Sequence, residues 1–364
     1  MNAIPWATTS LWGNEESYVV DALRSTWVSG GDYIQRFEDG FSQFIGSPHV
    51  VSVANGTAAL HLAYLALGIG AGDEVIVPGF AFMAAANMAL LVGAKPVFAE
   101  VDPLTWCVTA NSIAACITPR TRAIVPVHSY GNMCEMNSIN ALANEHGVPV
   151  IEDAAEAIGS CQGEQRAGAI SPVGVFSFHA TKTITTGEGG AVVMRDADLA
   201  KRMRLIRSHG VSVTRYWHEV AGHNFRLTNL QAAIGCGQLE HVDKIIAERL
   251  RIYRRYCELL GSMRGVSMQE IQQNVMPVMW AVAIRLDGSV FPQGRDQVMA
   301  QMSTVGIETR PGFYPASAMH HLYGPQVLPV CDEVGQSVVV LPSSPSLSND
   351  DIERVCDALE SFAC

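Results

Sequence analysis

Apolar and polar positions along this chain fall into a repeating order. His49 to Val53 is an apolar run of strand length, and Thr57 to Leu67 carries helical spacing that stops at the glycines of residues 68–72. Glu74 to Val77 reads as a strand, Ala81 to Val92 as a helix and Pro96 to Glu100 as a strand. Arg122 to Val127, Met136 to Glu145 and Pro149 to Asp153 continue the order as strand, helix and strand. Near-continuous apolar strands separated by helices predict an α/β fold with a mostly parallel central sheet sandwiched by helices. Ligands in such sheets bind at the carboxyl ends of the strands. That rule brings together Asn55-Gly56-Thr57, Asp153 and the loop after the next strand.

That next strand is Val175-Phe176-Ser177-Phe178, followed by a polar segment with Lys182, the turn Gly187-Glu188-Gly189-Gly190, and a second apolar run from Ala191 to Met194. Lys182 therefore sits on a loop between two core strands, where a scaffold can hold a reactive side chain. Toward the N-terminus, an amphipathic pattern (Tyr18, Val19, Ala22, Leu23) breaks at Gly30-Gly31, and a second helix follows from Ile34 to Phe44. Ala197 to Ile206 reads as a helix, and residues 213–229 as a functional loop, aromatic and polar with poor periodicity. A long helix is expected from Leu230 to about Leu260, broken at Gly235-Cys236-Gly237. Beyond it the pattern changes to short strands, such as Met279 to Leu286, and helices, Asp296 to Val305 and Asn349 to Phe362, the last capped by Ser348 or Asn349. The change places a boundary between a large domain, 1–245, and a smaller C-terminal α/β domain, 246–364.

Composition narrows the function classes. A length of 364 residues allows a large core, and 48% hydrophobic with 16% charged residues is an ordinary soluble composition. The net charge of −11 gives no basic footprint for nucleic acid or an acidic membrane. The most apolar helix candidate, Ala81 to Ala94, is too short to span a bilayer, and the start lacks a secretory pattern. Nine cysteines without regular spacing point to reduced thiols and a cytoplasmic location.

A lone lysine is usually a solvated surface group, but Lys182 has a hydroxyl upstream at Ser177 and glycines that let a ligand approach. A lysine so placed can form a Schiff base with an aldehyde, and pyridoxal phosphate then demands a carboxylate, phosphate donors and a flat group. Gly56 and Thr57 open a helix whose free amides suit a phosphate, though such a start also serves as an ordinary cap. Asp153 ends a buried strand and needs a partner: a protonated pyridine nitrogen, or the amides of a helix beginning at Ala154. Phe82 reads equally as a ring-stacking group or a core residue. His128, on its own, reads as a satisfied structural histidine.

The joint pattern ANGTAALHLA (54–63), GDEVIVP (72–78), GAKPVFAEVD (93–102), PVHSYGN (126–132), VIEDAAEAIG (150–159), FSFHATKTITTGEGG (176–190) and NFRLTNLQAAIG (224–235) resembles the DegT-type nucleotide-sugar aminotransferases, pyridoxal-phosphate enzymes of fold type I. The likeness runs from about residue 4 to the C-terminus. It implies Lys182 as the Schiff-base lysine, Asp153 on the pyridine nitrogen, Gly56, Thr57 and Ser177 on the phosphate, Phe82 on the ring and Glu156 on the cofactor's hydroxyl side. It implies a homodimer with shared active sites, in which Asn224 reaches the partner's phosphate. It also implies a ping-pong exchange in which L-glutamate converts the cofactor to pyridoxamine phosphate, which then aminates a sugar ketone.

Within the family, TWVSGGDYIQRFE (26–38), RYWHEVAGHNFRLTN (215–229), ETRPGFYP (308–315) and LPSSPSLSND (341–350) resemble the branch that aminates C4 of GDP-4-keto-6-deoxymannose to GDP-perosamine. Ser29, His128, Tyr130, His179, Arg310 and Tyr314 are then the expected substrate contacts. His179-Ala180-Thr181 and His128-Ser129-Tyr130 depart from that branch near the sugar, which leaves dTDP- and UDP-linked ketosugars open. Some relatives carry histidine for the lysine and act as dehydratases; Lys182 argues against that reading. A pyridoxal-phosphate-binding regulator without turnover is a different class of reading, disfavoured by the intact lysine, aspartate and phosphate set.

Overall fold

The computed structural model describes residues 3–322, 324 and 326–364. Two sheets are joined into one curved layer. Lys95–Ala99, Glu74–Pro78 and Thr121–Ile124 pair in parallel. Parallel bridges from Ile124 to Val150 and from Val127 to Asp153 carry the layer on to Ile151–Asp153. That strand pairs in parallel with Val173–Ser177. Gly190–Met194 runs antiparallel to Val173–Ser177 on one side and to His49–Val53 on the other. It is the single reversed strand of the layer, because a short loop returns the chain directly from Ser177 to Gly190 without a crossover helix.

The predicted helices form with shifts of a few residues. Gly56–Ala66 opens on Asn55, whose side chain accepts from the Ala58 amide at 2.8 Å. Met136–His146 and Ala197–Arg207 are likewise side-chain capped, by Glu135 and Asp196. The last helix, Asn349–Ser361, begins with a capping box between Ser348 and Asp351. The expected loop 213–229 has no helix or named strand up to Thr228, which caps the helix Asn229–Glu240.

One expected break is misplaced. The long helix divides at His241, into Asn229–Glu240 and Val242–Leu260, and not at Gly235 to Gly237. Those glycines lie inside a regular helix. A Cβ on Gly235 would meet the Phe37 ring at 2.5 Å, and one on Gly237 would meet the Glu15 backbone nitrogen at 2.8 Å. They permit two N-terminal helices, Glu15–Arg24 and Asp32–Ile45, to lie close against Asn229–Glu240.

A second sheet in the C-terminal part has the order Val266–Met268, Val282–Leu286, Val338–Leu341 and Arg310–Pro311, every pair antiparallel. It shares a core with Val242–Leu260, Gly294–Thr304 and Asn349–Ser361 through Ile252, Tyr256, Val298, Met302, Val355 and Leu359. The larger core fills the space beneath the parallel strands. Among the described residues, no helix is long and apolar enough to cross a membrane.

Candidate active site

The carboxyl ends of the strands open on one cavity of ≈ 700 Å³. Asn55, Gly56 and Thr57 border it from the first strand, Phe82 from beyond the second, and Val127 and Tyr130 from beyond the fourth. Asp153 and Glu156 come from the end of the fifth, and Ser177, His179 and Lys182 from the strand and loop that follow. The sheet thus gathers residues separated by more than a hundred positions in sequence.

Asp153 is 5% exposed, and its Oδ1 accepts from the Ala155 amide at 3.1 Å. No helix follows it; the chain makes turns there, so the expected helix cap is absent. Burial is the main cause that pushes its carboxyl up to about 6; the Ala155 amide opposes this, Glu156 adds to it, and Lys182 and His128 oppose it. Glu156 accepts from the Tyr130 amide through Oε2 at 2.8 Å and faces Lys182 Nζ through Oε1 at 3.3 Å.

The chain has four lysines, Lys95, Lys182, Lys201 and Lys244. Lys182 alone is withdrawn from solvent, with its side chain 12% exposed; the other three are exposed. Desolvation holds its ammonium below the ordinary lysine range, against the opposing pull of Glu156 and Asp153. Nζ lies 3.5 Å from the centre of the Trp280 ring. Trp280 in turn donates through Nε1 to the Thr181 carbonyl at 2.7 Å, which ties the ring to the lysine loop.

At the other end of the cavity, glycine is required by contact. A Cβ on Gly56 would meet the Ser177 Cβ at 2.8 Å, and one on Gly190 would meet the Gly56 nitrogen at 2.8 Å. The result is a concave pocket of backbone at a helix N-terminus, with the Thr57 and Ser177 side chains on its rim. Such a pocket accommodates a dianionic phosphate.

The expected substrate contacts divide. Tyr130, His179 and Arg310 line the cavity. Tyr130 holds a left-handed backbone, φ 62°, and stacks on Phe313 with ring centres 5.0 Å apart. His179 Nδ1 lies 3.0 Å from Thr181 Oγ1. Arg310 pairs with Glu308 at 2.5 Å and lies over Trp6. His128 is a correction: it is fully buried, its Nε2 pairs with Glu152 at 3.2 Å and its Nδ1 accepts from the Cys134 amide. With both ring nitrogens engaged in the core, it has none to offer a sugar. Tyr314 also lies outside the cavity wall, half exposed beneath Arg295. Ser29 and Asn224 are exposed and away from this chain's own cavity; the Ser29 carbonyl accepts from the Asn229 amide, and Asn224 accepts from Arg226. The structure adds Trp6, Glu188, Trp280 and Phe313 to the wall. Trp6 and Trp280 arrive from distant parts of the chain and meet edge-to-face at 5.9 Å; no local pattern marks either.

The chain is similar to known proteins along nearly its whole length. The GDP-perosamine synthase of Caulobacter vibrioides is 41% identical over 360 residues, covering 97% of this chain and 96% of the relative. The GDP-perosamine synthase of Vibrio cholerae is 40% identical over 366 residues, covering 99% of each. DesV of S. venezuelae, solved in complex with a ketimine intermediate, superimposes with a TM-score of 0.93 at 32% identity, covering 100% of this chain and 99% of that one. The family model matches residues 10–360. The chain belongs to the DegT/DnrJ/EryC1/StrS aminotransferase family.

Proposed function

We propose that this aminotransferase depends on pyridoxal phosphate and moves the amino group of L-glutamate to the C4 ketone of GDP-4-keto-6-deoxymannose, giving GDP-perosamine. The observation that carries the reading is one cavity with a buried acid, Asp153, and the chain's only desolvated lysine at its floor, and a backbone phosphate cradle at its end. The residues fit the cofactor. The Gly56 and Thr57 amides with the Thr57 and Ser177 hydroxyls would hold the phosphate, Asp153 would face the pyridine nitrogen, and Phe82 and Glu156 would border the ring. When bound, the cofactor supplies the carbonyl that takes up the amino group and an electron sink for the carbanion.

The protein's own work is positioning and proton transfer. Asp153, buried and acceptor-only once ionised, favours a protonated ring nitrogen opposite it. Lys182 Nζ is the group placed to take a proton from the amino donor's α-carbon and return it to the sugar carbon. Desolvation raises its uncharged fraction, and so its capacity as a base near neutral pH. Glu156 and the Trp280 face hold that nitrogen at the cavity floor. Trp6, His179 and Arg310 form the mouth, where a sugar nucleotide would lie, with Arg310 suited to its diphosphate. The GDP assignment comes from the two perosamine synthases.

The exposed positions of Ser29 and Asn224 support a homodimer in which each chain completes its partner's site. The test is a panel of GDP-, dTDP- and UDP-linked 4-keto-6-deoxy sugars with L-glutamate, read by product NMR. Turnover confined to the GDP sugar, with nitrogen at C4, is expected. Preference for a dTDP or UDP sugar would reassign the nucleotide, and no turnover of any would favour a regulator without catalysis.

A further inference from the structure

Lys182 Nζ has two close neighbours, Glu156 and Trp280, and one residue is bonded to both. Tyr130 holds a left-handed backbone, φ 62°, which side chains rarely adopt. In that conformation its amide donates to Glu156 Oε2 at 2.8 Å, and its carbonyl accepts from the Trp280 amide at 2.9 Å. Glu156 turns its other oxygen to Nζ at 3.3 Å. Trp280 turns the face of its ring, with the centroid 3.5 Å from Nζ.

Further bonds hold the ring in that orientation. Trp280 Nε1 donates to the Thr181 carbonyl at 2.7 Å. The Trp280 carbonyl accepts from Arg249 Nη1 at 2.6 Å, and Arg249 Nη2 reaches the Lys182 carbonyl at 3.3 Å. A single buried guanidinium therefore bridges the two backbones. The Trp6 ring packs edge-to-face against Trp280 at 5.9 Å.

Packing alone would be served by any apolar side chain of this size. An indole face adds attraction for a cation, and the attraction grows where water is excluded. It acts on the charged form of Lys182 and not on the uncharged form. The charge on Nζ changes during the proposed reaction: Lys182 is uncharged before it takes a proton from carbon and charged while it carries that proton. A group fixed in advance toward a developing charge lowers the barrier to the step that develops it.

We infer that Trp280 is a positioning residue for the proton-carrying form of Lys182, its ring face set where the ammonium charge develops. The part it plays in turnover rests on the transamination proposed for this site. The attraction between ring and ammonium does not, because it belongs to the chain without cofactor or sugar.

The test replaces Trp280 site-specifically with mono-, di- and trifluorotryptophan, which drains the ring face stepwise and keeps its N–H and nearly its shape. In the cofactor-free protein, acetic anhydride labelling of Lys182, read by peptide mass spectrometry, gives the pH midpoint at which Nζ loses its proton. With less attraction for the ammonium, the midpoint should fall at each step, by roughly 0.4–1.5 pH units across the series. A midpoint that stays constant overturns the inference. In the holoenzyme, exchange of the α-hydrogen of L-glutamate in deuterated water should slow by a factor of roughly 2–10 across the series, with the affinity for L-glutamate unchanged. Unchanged exchange, or a loss of affinity equal to the loss of rate, would mean that the ring only packs. If the unaltered holoenzyme exchanges no α-hydrogen, the transamination reading fails, and the midpoint decides the role of the ring alone.

Discussion

At the scale of single residues, the site places opposed demands on Asp153. Its carboxyl is wanted ionised for a ring nitrogen, yet burial pushes it up to about 6 from an ordinary 3.8. A folded-state value raised above the unfolded one means that the residue's contribution to stability is fully present below about 3.8. It is lost as pH rises through about 6. Roughly two units correspond to about 3 kcal/mol. Asp153→Asn should therefore stabilise the cofactor-free protein by up to about 3 kcal/mol at pH 8, and by much less at pH 4. The same substitution should cut turnover of the loaded enzyme by a factor of about 10² or more. Paired chemical melts at the two pH values, with steady-state kinetics, check both halves. Equal stability at both pH values would mean that Asp153 is not strained by burial.

The sequence made much of this site legible at the residue scale. Gly56, Asp153, Ser177 and Lys182 could be found because each sits at or just past the end of an apolar strand, and the ends of parallel strands converge. His128 follows the same rule, yet it turns into the core to pair with Glu152. Strand position says where the backbone goes, not which way a side chain turns. Trp6 and Trp280 reach the site from remote segments, and Arg249 bonds the Lys182 carbonyl from another, so only tertiary packing reveals them.

At the scale of elements, the glycines of Asn229–Glu240 explain the misplaced helix break. Glycine can mark an end of a helix or a close approach of two helices, and local sequence does not separate the two uses. Here the flanking helices press on it: the Phe37 ring is fully buried and fills the space where a Gly235 Cβ would stand. Alanine is the better helix former by about 1 kcal/mol. Overpacking costs about 1–3 kcal/mol. Since the Phe37 ring is fully buried, Gly235→Ala should be net destabilising, by up to about 2 kcal/mol after the propensity gain. A drop in melting temperature is the expected reading. A rise would show that Phe37 yields and that the glycine serves no packing purpose.

At the scale of the whole molecule, the proposed dimer makes a quantitative prediction. If Asn224 serves the partner's cofactor, Lys182→Ala and Asn224→Ala chains are each impaired alone. A mixed dimer then has one site with both residues intact and one with both altered. Random reassortment gives about half mixed dimers, so mixing should restore roughly a quarter of full activity. No recovery, with subunit exchange shown by native mass spectrometry, would place both residues in one chain's site. The repeated strand-helix pattern made the parallel layer legible. The reversed strand Gly190–Met194 was not, because the direction of a buried strand is set by the length of its connection and not by its apolar pattern.

The central claim is that Lys182 is the residue that carries the cofactor. Purified holoenzyme reduced with borohydride should hold one pyridoxyl group per chain. Peptide mapping should find it on the segment from Phe178 to Glu188, at Lys182, with Lys95, Lys201 and Lys244 unlabelled. A label on any of those three exposed lysines, or none on the protein, would contradict the account.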